Sequence, residues 1–360
     1  PASADEVLRL VPGIHIVQHG SEGKGHQIFL RGFDAVHGSD VEVLLQGISL
    51  NEPSHVHGQG YLDLYGLIPE AVVEMEVARG PFLPWQGNFA TAGSIRFRPG
   101  LTDQARPGLV RTEVDHRGKL RAAAVAGSEE GPEQSFAAIE GVLDPGFGPD
   151  RRARRAALMS GYQLDLDSHH ALTALVSGQT ARFHTPGALR FSDVQSGRHD
   201  FHDAYGPAGE GISDRLIARF GYQHGGERPD LDLFVYALAR DFSLQENFTG
   251  FLLNPDLGDR KRQQQWTLSG GGGARLERVM PTPFPSRLFA GAGWRLDDGR
   301  QREQGIDSTG TPWSSIRGAD FAVQQIEVYT GYRFSPWRWV ELFPSLRLDL
   351  FVFDAQDRLL

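Results

Sequence analysis

The sequence predicts a small α+β domain over residues 1–100, followed over 101–360 by part of an antiparallel transmembrane β-barrel of about eleven strands. Three observations predict it. The first hundred residues mix short helical and strand signals. After Pro99-Gly100 the pattern becomes long segments of alternating apolar and polar residues. The connections between those segments then alternate between short and long, which is the rhythm of membrane barrels with tight turns on one side and loops on the other.

The first domain opens with a short helical stretch at Asp5–Leu10, stopped by Pro12-Gly13. Strands are expected at Ile14–Gln18, Gln27–Arg31, Val41–Leu45, Ile48–Leu50, Val72–Ala78 and Ser94–Arg98. Gln46-Gly47 reads as a two-residue hairpin turn, and a second helix is expected at Leu62–Leu67, ending before Pro69.

The second region gives eleven segments, starting near residues 108, 119, 134, 155, 170, 214, 230, 262, 286, 321 and 338. Leu158, Tyr162, Leu164 and Leu166 oppose Gln163 and Asp165. Leu216, Ala218, Phe220 and Tyr222 oppose Arg219 and Gln223. Ile326, Val328, Leu346, Leu348 and Leu350 are expected to face lipid, while Glu327, Arg347 and Asp349 face residues 1–100. Short turns are expected at Ser128–Glu133, Asp167–His170, Gly225–Asp230 and Ser335–Trp337, and long loops at 184–212, 244–261 and 298–319. The Glu277–Ser286 connection, rich in proline, fits that rhythm least well. Tyr162, Phe183, Tyr222, Phe242, Trp266, Trp294, Tyr332, Phe334, Trp337 and Trp339 end strands and read as interfacial girdles.

Bulk composition agrees. No apolar run approaches a membrane helix, and a mean hydropathy of -0.34 is what alternating barrel strands average to. A net charge of -9 argues against nucleic acid as partner, and the absence of cysteine removes thiolate metal sites and cysteine nucleophiles. There is no Gly-x-Ser-x-Gly elbow or His-Glu-x-x-His motif, and no enzyme or cofactor is expected. Gly270–Gly273 lacks the context of a phosphate loop and is read as a strand against crowded neighbours or a kink. Pro1 follows no signal segment, so the chain is expected to be processed or cut there.

Five segments in order resemble the plug domain of TonB-dependent outer-membrane receptors: Leu8–Ile16, Ile28–Phe33, Val41–Leu50, Ile68–Glu70 with Val73–Pro81, and Gly87–Ile95. The barrel region is matched by pattern alone. The resemblance implies a receptor or transporter in the outer membrane of a Gram-negative bacterium. It would take up a scarce ligand by plug rearrangement, with an iron-siderophore or other metal chelate as the default cargo and a carbohydrate as another. The implied partners are TonB, through a segment not visible here, the small-molecule ligand, and outer-membrane lipid with lipopolysaccharide. Plugged barrels have about 22 strands, so the chain reads as a fragment of a longer product. Gln46 departs from the family, which usually has an acidic residue there. A non-transporting binding or sensing module is the alternative, and a soluble β-rich enzyme with a closed core is a third reading.

The resemblance also implies that Arg31 and Arg79 pair with barrel carboxylates and lock the plug, with Glu327 and Asp349 as candidate partners. Gly32, Gly80 and Gly93 are expected to serve turns or close approach. The plug loop 51–61 supplies the ligand-binding candidates His55, His57, Gln59 and Tyr61. His55 and His57 have strand spacing and, with Asp63 as third ligand, form a candidate metal site; they also read as polar loop residues facing the cargo. His199 and His202, near His184, Asp200 and Asp203, form a second candidate metal set. Arg151, Arg152, Arg154 and Arg155 are expected at the outer rim, facing lipopolysaccharide.

Overall fold

A computed structural model of the chain describes residues 4–18, 23–106, 108–128, 132–206, 209–225 and 230–359. Helix α1 (Ala4–Leu8) precedes strands β1 (Ile14–Val17), β2 (Gln27–Leu30) and β3 (Phe33–Ala35), which form one small sheet. A second sheet has the order β5-β4-β7-β6, from β4 (Val41–Leu45), β5 (Ile48–Ser49), β6 (Val72–Arg79) and β7 (Gly93–Pro99). Val41, Val43, Leu45, Ile48, Ile95 and Phe97 fill the core between this sheet and Leu8, Ile28 and Leu30. The Gln46-Gly47 turn is present, with φ of 47° and 85°, the doubly positive geometry that suits a tight hairpin.

The helix expected at Leu62–Leu67 is absent. The only helical turn nearby is a 3-10 turn at Pro69–Ala71. Leu62, Leu64, Leu67 and Ile68 are all buried in the core. The backbone between them is spoken for by the barrel, with the Gly66 carbonyl accepting from Ser177 Oγ at 3.3 Å. Six residues do not recover the cost of helix nucleation when their polar groups already have partners.

The rest of the chain is one antiparallel sheet. Its strands are β8 (Gly108–Val114), β9 (Leu120–Ser128), β10 (Glu133–Asp144), β11 (Ala153–Asp165), β12 (His170–Thr185), β13 (Gly209–His224), β14 (Leu231–Asn247), β15 (Arg260–Val279), β16 (Ser286–Ile306) and β17 (Pro312–Trp337). The last expected segment divides into β18 (Val340–Leu342) and β19 (Ser345–Asp357), both paired with β17. The sheet has 12 strands, and β8 and β19 each pair on one side only. No helix among the described residues is long and apolar enough to cross a membrane.

Alternation sorts the sheet into two faces as expected. Ile326, Val328, Leu346, Leu348 and Leu350 are turned out and exposed. Arg347 points inward, where Nη1 donates to the Pro84 carbonyl of the first domain at 3.3 Å. Trp266, Trp294, Trp337 and Trp339 also face outward. Phe183 and Phe242 do not belong to a girdle: both are buried. Register explains this, because Phe183 pairs with Gly211 and Phe242 with Ser213, on the inward parity.

The loop rhythm holds with two corrections. The short turn expected at Ser335–Trp337 is still strand, because β17 runs on to Trp337 and the chain turns at 338–339 before β18. Segment 298–319 is no long loop, because β16 continues to Ile306 and β17 begins at Pro312. Polar residues such as Arg300 and Asp320 stay in the ladder, which extends past the apolar belt. The long 186–208 connection carries helix α2 (Phe191–Gln195). The interiors of the turns expected at Ser128–Glu133 and Gly225–Asp230 lie outside the described residues. Gly270–Gly273 is regular β15 strand. A Cβ on Gly271 would meet the Tyr236 ring at 2.5 Å, so glycine makes room for an inward aromatic on β14.

The basic cluster at 151–155 is split by the same parity. Arg154 stays on the exposed outer face, whereas Arg155 is buried inward against Glu140. Arg151 is spent on the Pro149 and His202 carbonyls.

Candidate functional site

The first domain sits against the inward face of the sheet, and buried charge marks the contact. Asp63 leaves the plug-side core and enters a pocket of β12, β13 and β14. Its carboxylate lies 2.7 Å from Arg240 and 3.3 Å from Arg215. Gln179 Nε2 donates to it at 2.6 Å and Ser213 Oγ at 3.2 Å. Arg240 also lies 3.0 Å from Glu52. Burial alone would raise the Asp63 carboxyl, but Arg240 and Arg215 outweigh it and hold it down at about 2. Glu52, with fewer donors, is pushed up by burial to about 7 against the pull of Arg240.

A second charged contact lies at the 3-10 turn. Glu70 accepts from Arg121 at 2.6 and 2.8 Å and from Arg111 at 3.1 Å. Burial raises its carboxyl, while Arg121 more than reverses this and leaves it below the usual range. Arg121 also reaches Glu140 at 2.6 Å. On the far side, Arg295 donates to the Ser49 and Asn51 carbonyls at 3.0 and 3.2 Å.

These arginines belong to the wall and their carboxylate partners Asp63, Glu52 and Glu70 to the first domain, which reverses the expected polarity. Glu327 and Asp349 face each other across β17 and β19 and share Arg347 between them. Arg31 and Arg79 are exposed, and neither is ion-paired among the described residues. The reason is positional: Arg31 sits in the turn after β2 and Arg79 at the end of β6.

Loop 51–61 is closed by the Glu52–Tyr61 bridge. That bridge turns Tyr61 inward, fully buried, with its hydroxyl accepting the Gly25 N–H at 2.7 Å. His55 stacks on Tyr61 at 4.1 Å and meets Phe242 edge-on. Burial, then Arg240, keeps His55 well below its usual range, so it is neutral. Tyr61 and His55 are therefore core residues, not a cargo-facing surface. His57 and Gln59 stay accessible. Barrel glutamines hold this loop: Gln265 accepts from Val56 N at 2.7 Å and donates to Ser54 O at 3.0 Å.

Among the described residues, no three His, Cys, Asp or Glu side chains converge to hold a metal. Asp63 is engaged by Arg240, away from His55 and His57. His199 pairs with Asp203 at 3.4 Å, while the His202 ring packs on Phe147 and Phe201. Missed from sequence were Arg121, Arg215, Arg240 and Arg295. Their signal was a charged residue at inward parity within an alternating strand.

Below the charged contacts, a cavity of about 310 Å³ separates the β6–β7 edge from the wall of β13–β17. Glu42, Glu76, Arg96, Arg219, Arg275 and Glu327 line it.

Residues 1–94 match the family model described as TonB-dependent Receptor Plug Domain. The chain has the fold of the TonB-dependent receptors, plug first and barrel second. It superposes on the ferric citrate transporter FecA in its unliganded form with a TM-score of 0.76 at 15% identity, covering 99% of this chain and 55% of that one. For the copper transporter OprC the values are 0.72, 14%, 98% and 52%. For the ferric yersiniabactin uptake receptor FyuA from Yersinia pestis they are 0.70, 12%, 98% and 57%. The chain spans about half the length of these structures.

Proposed function

We propose that this chain supplies the plug and part of the barrel of an outer-membrane receptor of a Gram-negative bacterium, which takes up a scarce metal chelate with energy delivered through TonB. The observation that carries the reading is the charged contact of Asp63 and Glu52 with Arg240 and Arg215. It fastens the plug to the wall directly behind an accessible, polar apex at His57 and Gln59. A permanent structural plug has no need of buried charge, since apolar packing of similar volume is as stable or more so. A plug that must move gains from a contact whose partners are satisfied by water once released. The cavity beside β6 and β7 gives the displaced sheet room. Arg154, exposed on the outer strand face, fits the anionic lipid expected there.

The FecA, FyuA and OprC names point to ferric chelates and copper as cargo to try first. The test is uptake of radiolabelled ferric citrate and of Cu²⁺ by cells expressing the receptor, with and without an inner-membrane proton gradient. Gradient-dependent uptake of either supports the reading. Cargo binding at the surface without gradient-dependent uptake overturns it in favour of a binding or sensing module.

A further inference from the structure

The outer face of the sheet is hollowed across β9 to β14, and basic residues stand at one end of the hollow. Outward parity along β11 and the residue before it runs Arg152, Arg154, Ala156 and Leu158, starting from the 145–152 connection. The ladder carries each level across the sheet. Ala156 lies opposite Gly141 and Thr180, and Gly141 opposite Ala122. One level further along, Leu158 lies between Ile139 and Gly178, with Leu216 beyond. Small residues thus make a floor, and Ile139, Leu158 and Leu216 make walls. The floor is open: a Cβ added at Gly141 would meet nothing within 4 Å. A hollow of about 890 Å³ lies over it. A second, of about 590 Å³, shares Ala122, Gly141, Ala156 and Thr180 with the first and reaches Arg154 and Arg182. A third, of about 490 Å³, shares those two arginines and ends at Arg152 and His184. Together they form one track, apolar at one end and cationic at the other.

The cationic end carries charge that the protein does not answer. Arg182 is held by Asp214, which accepts from both of its Nη atoms. Arg154 stands directly opposite Arg182 in the ladder and has no hydrogen bond or ion pair among the described residues. Like charges opposite one another on adjacent strands repel, and Asp214 answers only one of them. Arg152 gives its Nε–H to His184 Nε2 at 3.1 Å, an imidazole acceptor that brings no negative charge. Glu210, the carboxylate lining this end, lies opposite His184 and is ion-paired to neither Arg152 nor Arg154 among the described residues. Two arginines two residues apart on one strand face are separated by about 6.6 Å. Both can reach one phosphate group, whose oxygens the guanidinium fork suits.

We propose that this track is a lipid site, with acyl chains lying over Ala122, Gly141 and Ala156 and a headgroup phosphate held by Arg152 and Arg154. The occupant is lipid A, the phosphorylated and multiply acylated anchor of lipopolysaccharide. A free phosphate ion would use the arginines and leave the hollow empty. An uncharged lipid would fill the hollow and leave Arg154 unanswered. Five strand spacings of about 4.8 Å make the hollow about 24 Å wide, room for several chains side by side. The arginines stand at the end of β11 that joins a longer connection, the side given to the outer leaflet by the loop rhythm. The proposal deepens the reading of this sheet as the wall of an outer-membrane receptor, and rests on it.

The test is purified lipid A, titrated into the delipidated receptor in detergent, with bound adducts resolved by native mass spectrometry. The expected result is one discrete lipid A adduct. Affinity should fall at least tenfold for lipid A stripped of its phosphates, and equally in the Arg152→Gln/Arg154→Gln double variant. Gly141→Leu should lose as much, because it fills the floor and leaves both arginines in place; its side chain enters open space, so the fold tolerates it. Arg300→Gln, at an exposed outward arginine on β16, should change nothing. No adduct, or equal affinity in the arginine variant or for the phosphate-free lipid, means ordinary contact with surrounding lipid and overturns the site. Loss in the arginine variant with none in Gly141→Leu reduces the track to a phosphate site and overturns the acyl hollow. An intact adduct without gradient-dependent uptake instead overturns the transport reading and leaves the lipid site standing.

Discussion

Arg240 on β14 lies 2.7 Å from Asp63 of the plug, and both side chains are fully withdrawn from solvent. They are 177 positions apart in the chain, counted from 63 to 240, and meet only because the plug is seated in the wall. Removing Arg240 takes the arginine from Glu52 and leaves the buried Asp63 beside it with Arg215 alone, at 3.3 Å. Arg240→Met should weaken plug docking by about 3–5 kcal/mol, the cost of breaking one partner from a buried pair. Hydrogen exchange over residues 51–67 reads this directly, and unchanged protection would refute the locking role. The triple change with Asp63→Asn and Glu52→Gln should recover much of the loss. The Asp63 contribution has a defined acid limit. Its folded carboxyl is depressed from 3.8 to about 2, so the contribution is complete above pH 3.8 and disappears as pH falls through about 2.

Glu42 on β4 should give the plug the opposite pH dependence. Its carboxyl accepts the Gly87 N–H at 3.0 Å and sits near Glu327, Arg347 and Arg96. Burial raises it from 4.5 to about 7, against the smaller pull of the Gly87 hydrogen bond, with Glu327 adding to the rise. A raised carboxyl favours the folded state in its protonated form. The contribution is therefore complete below pH 4.5 and is lost as pH rises through about 7. Denaturant midpoints for the plug should be higher at pH 5 than at pH 8, by an amount on the order of 3 kcal/mol. Glu42→Gln should reduce that difference and leave the share of Glu52, whose carboxyl burial also raises from 4.5 to about 7. A wild-type plug equally stable at both values would contradict the burial argument.

Gly93 opens β7 with φ of 147°, and a Cβ there would lie 2.3 Å from the Ala78 carbonyl oxygen on β6. The obstacle is backbone in a paired strand, so it has little freedom to yield. Gly93→Ala should destabilise the plug by about 1–3 kcal/mol, as overpacking does. Gly32→Ala is the informative control, since its φ is also positive but nothing stands within 4 Å of its Cβ position. Limited trypsinolysis compares the two, and equal sensitivity would mean that backbone strain, not the Ala78 contact, sets the cost.

The architecture was legible because its signals are local. Strand parity at Ile326 and Val328 follows from adjacent residues, and so does the Gln46-Gly47 turn. The lock was not, because a pair such as Glu70 and Arg121 depends on how two domains dock and on barrel register. Parity did place Arg219 on the inner face, but nothing in the chain says which inward arginine meets which plug carboxylate. His55 and His57 looked equivalent at strand spacing. The Glu52–Tyr61 bridge separates them, burying one and leaving the other beside His37. The 298–319 stretch was misread because polarity marks departure from lipid, whereas a ladder of backbone hydrogen bonds continues regardless of side chains.

Val235 tests the membrane reading itself. It lies on β14 between Phe220 of β13 and Gly272 of β15, and its side chain is exposed. In water an exposed valine costs little to replace, and arginine at a solvated strand position would be nearly neutral. In a bilayer the same position sits mid-belt, where arginine costs about 2–4 kcal/mol. Val235→Arg should therefore lower the stability of the receptor in lipid vesicles by that amount, read from its urea midpoint by tryptophan fluorescence. Asp241→Arg, six residues further along β14 on the same outward parity but beside Asp214 and Trp266 at the polar margin, should cost much less. A valine substitution as mild as the one at Asp241 would place this face in water and remove the basis for a membrane barrel. A large difference between the two fixes the depth of the belt along β14, and with it the level at which the plug apex stands relative to the membrane surface.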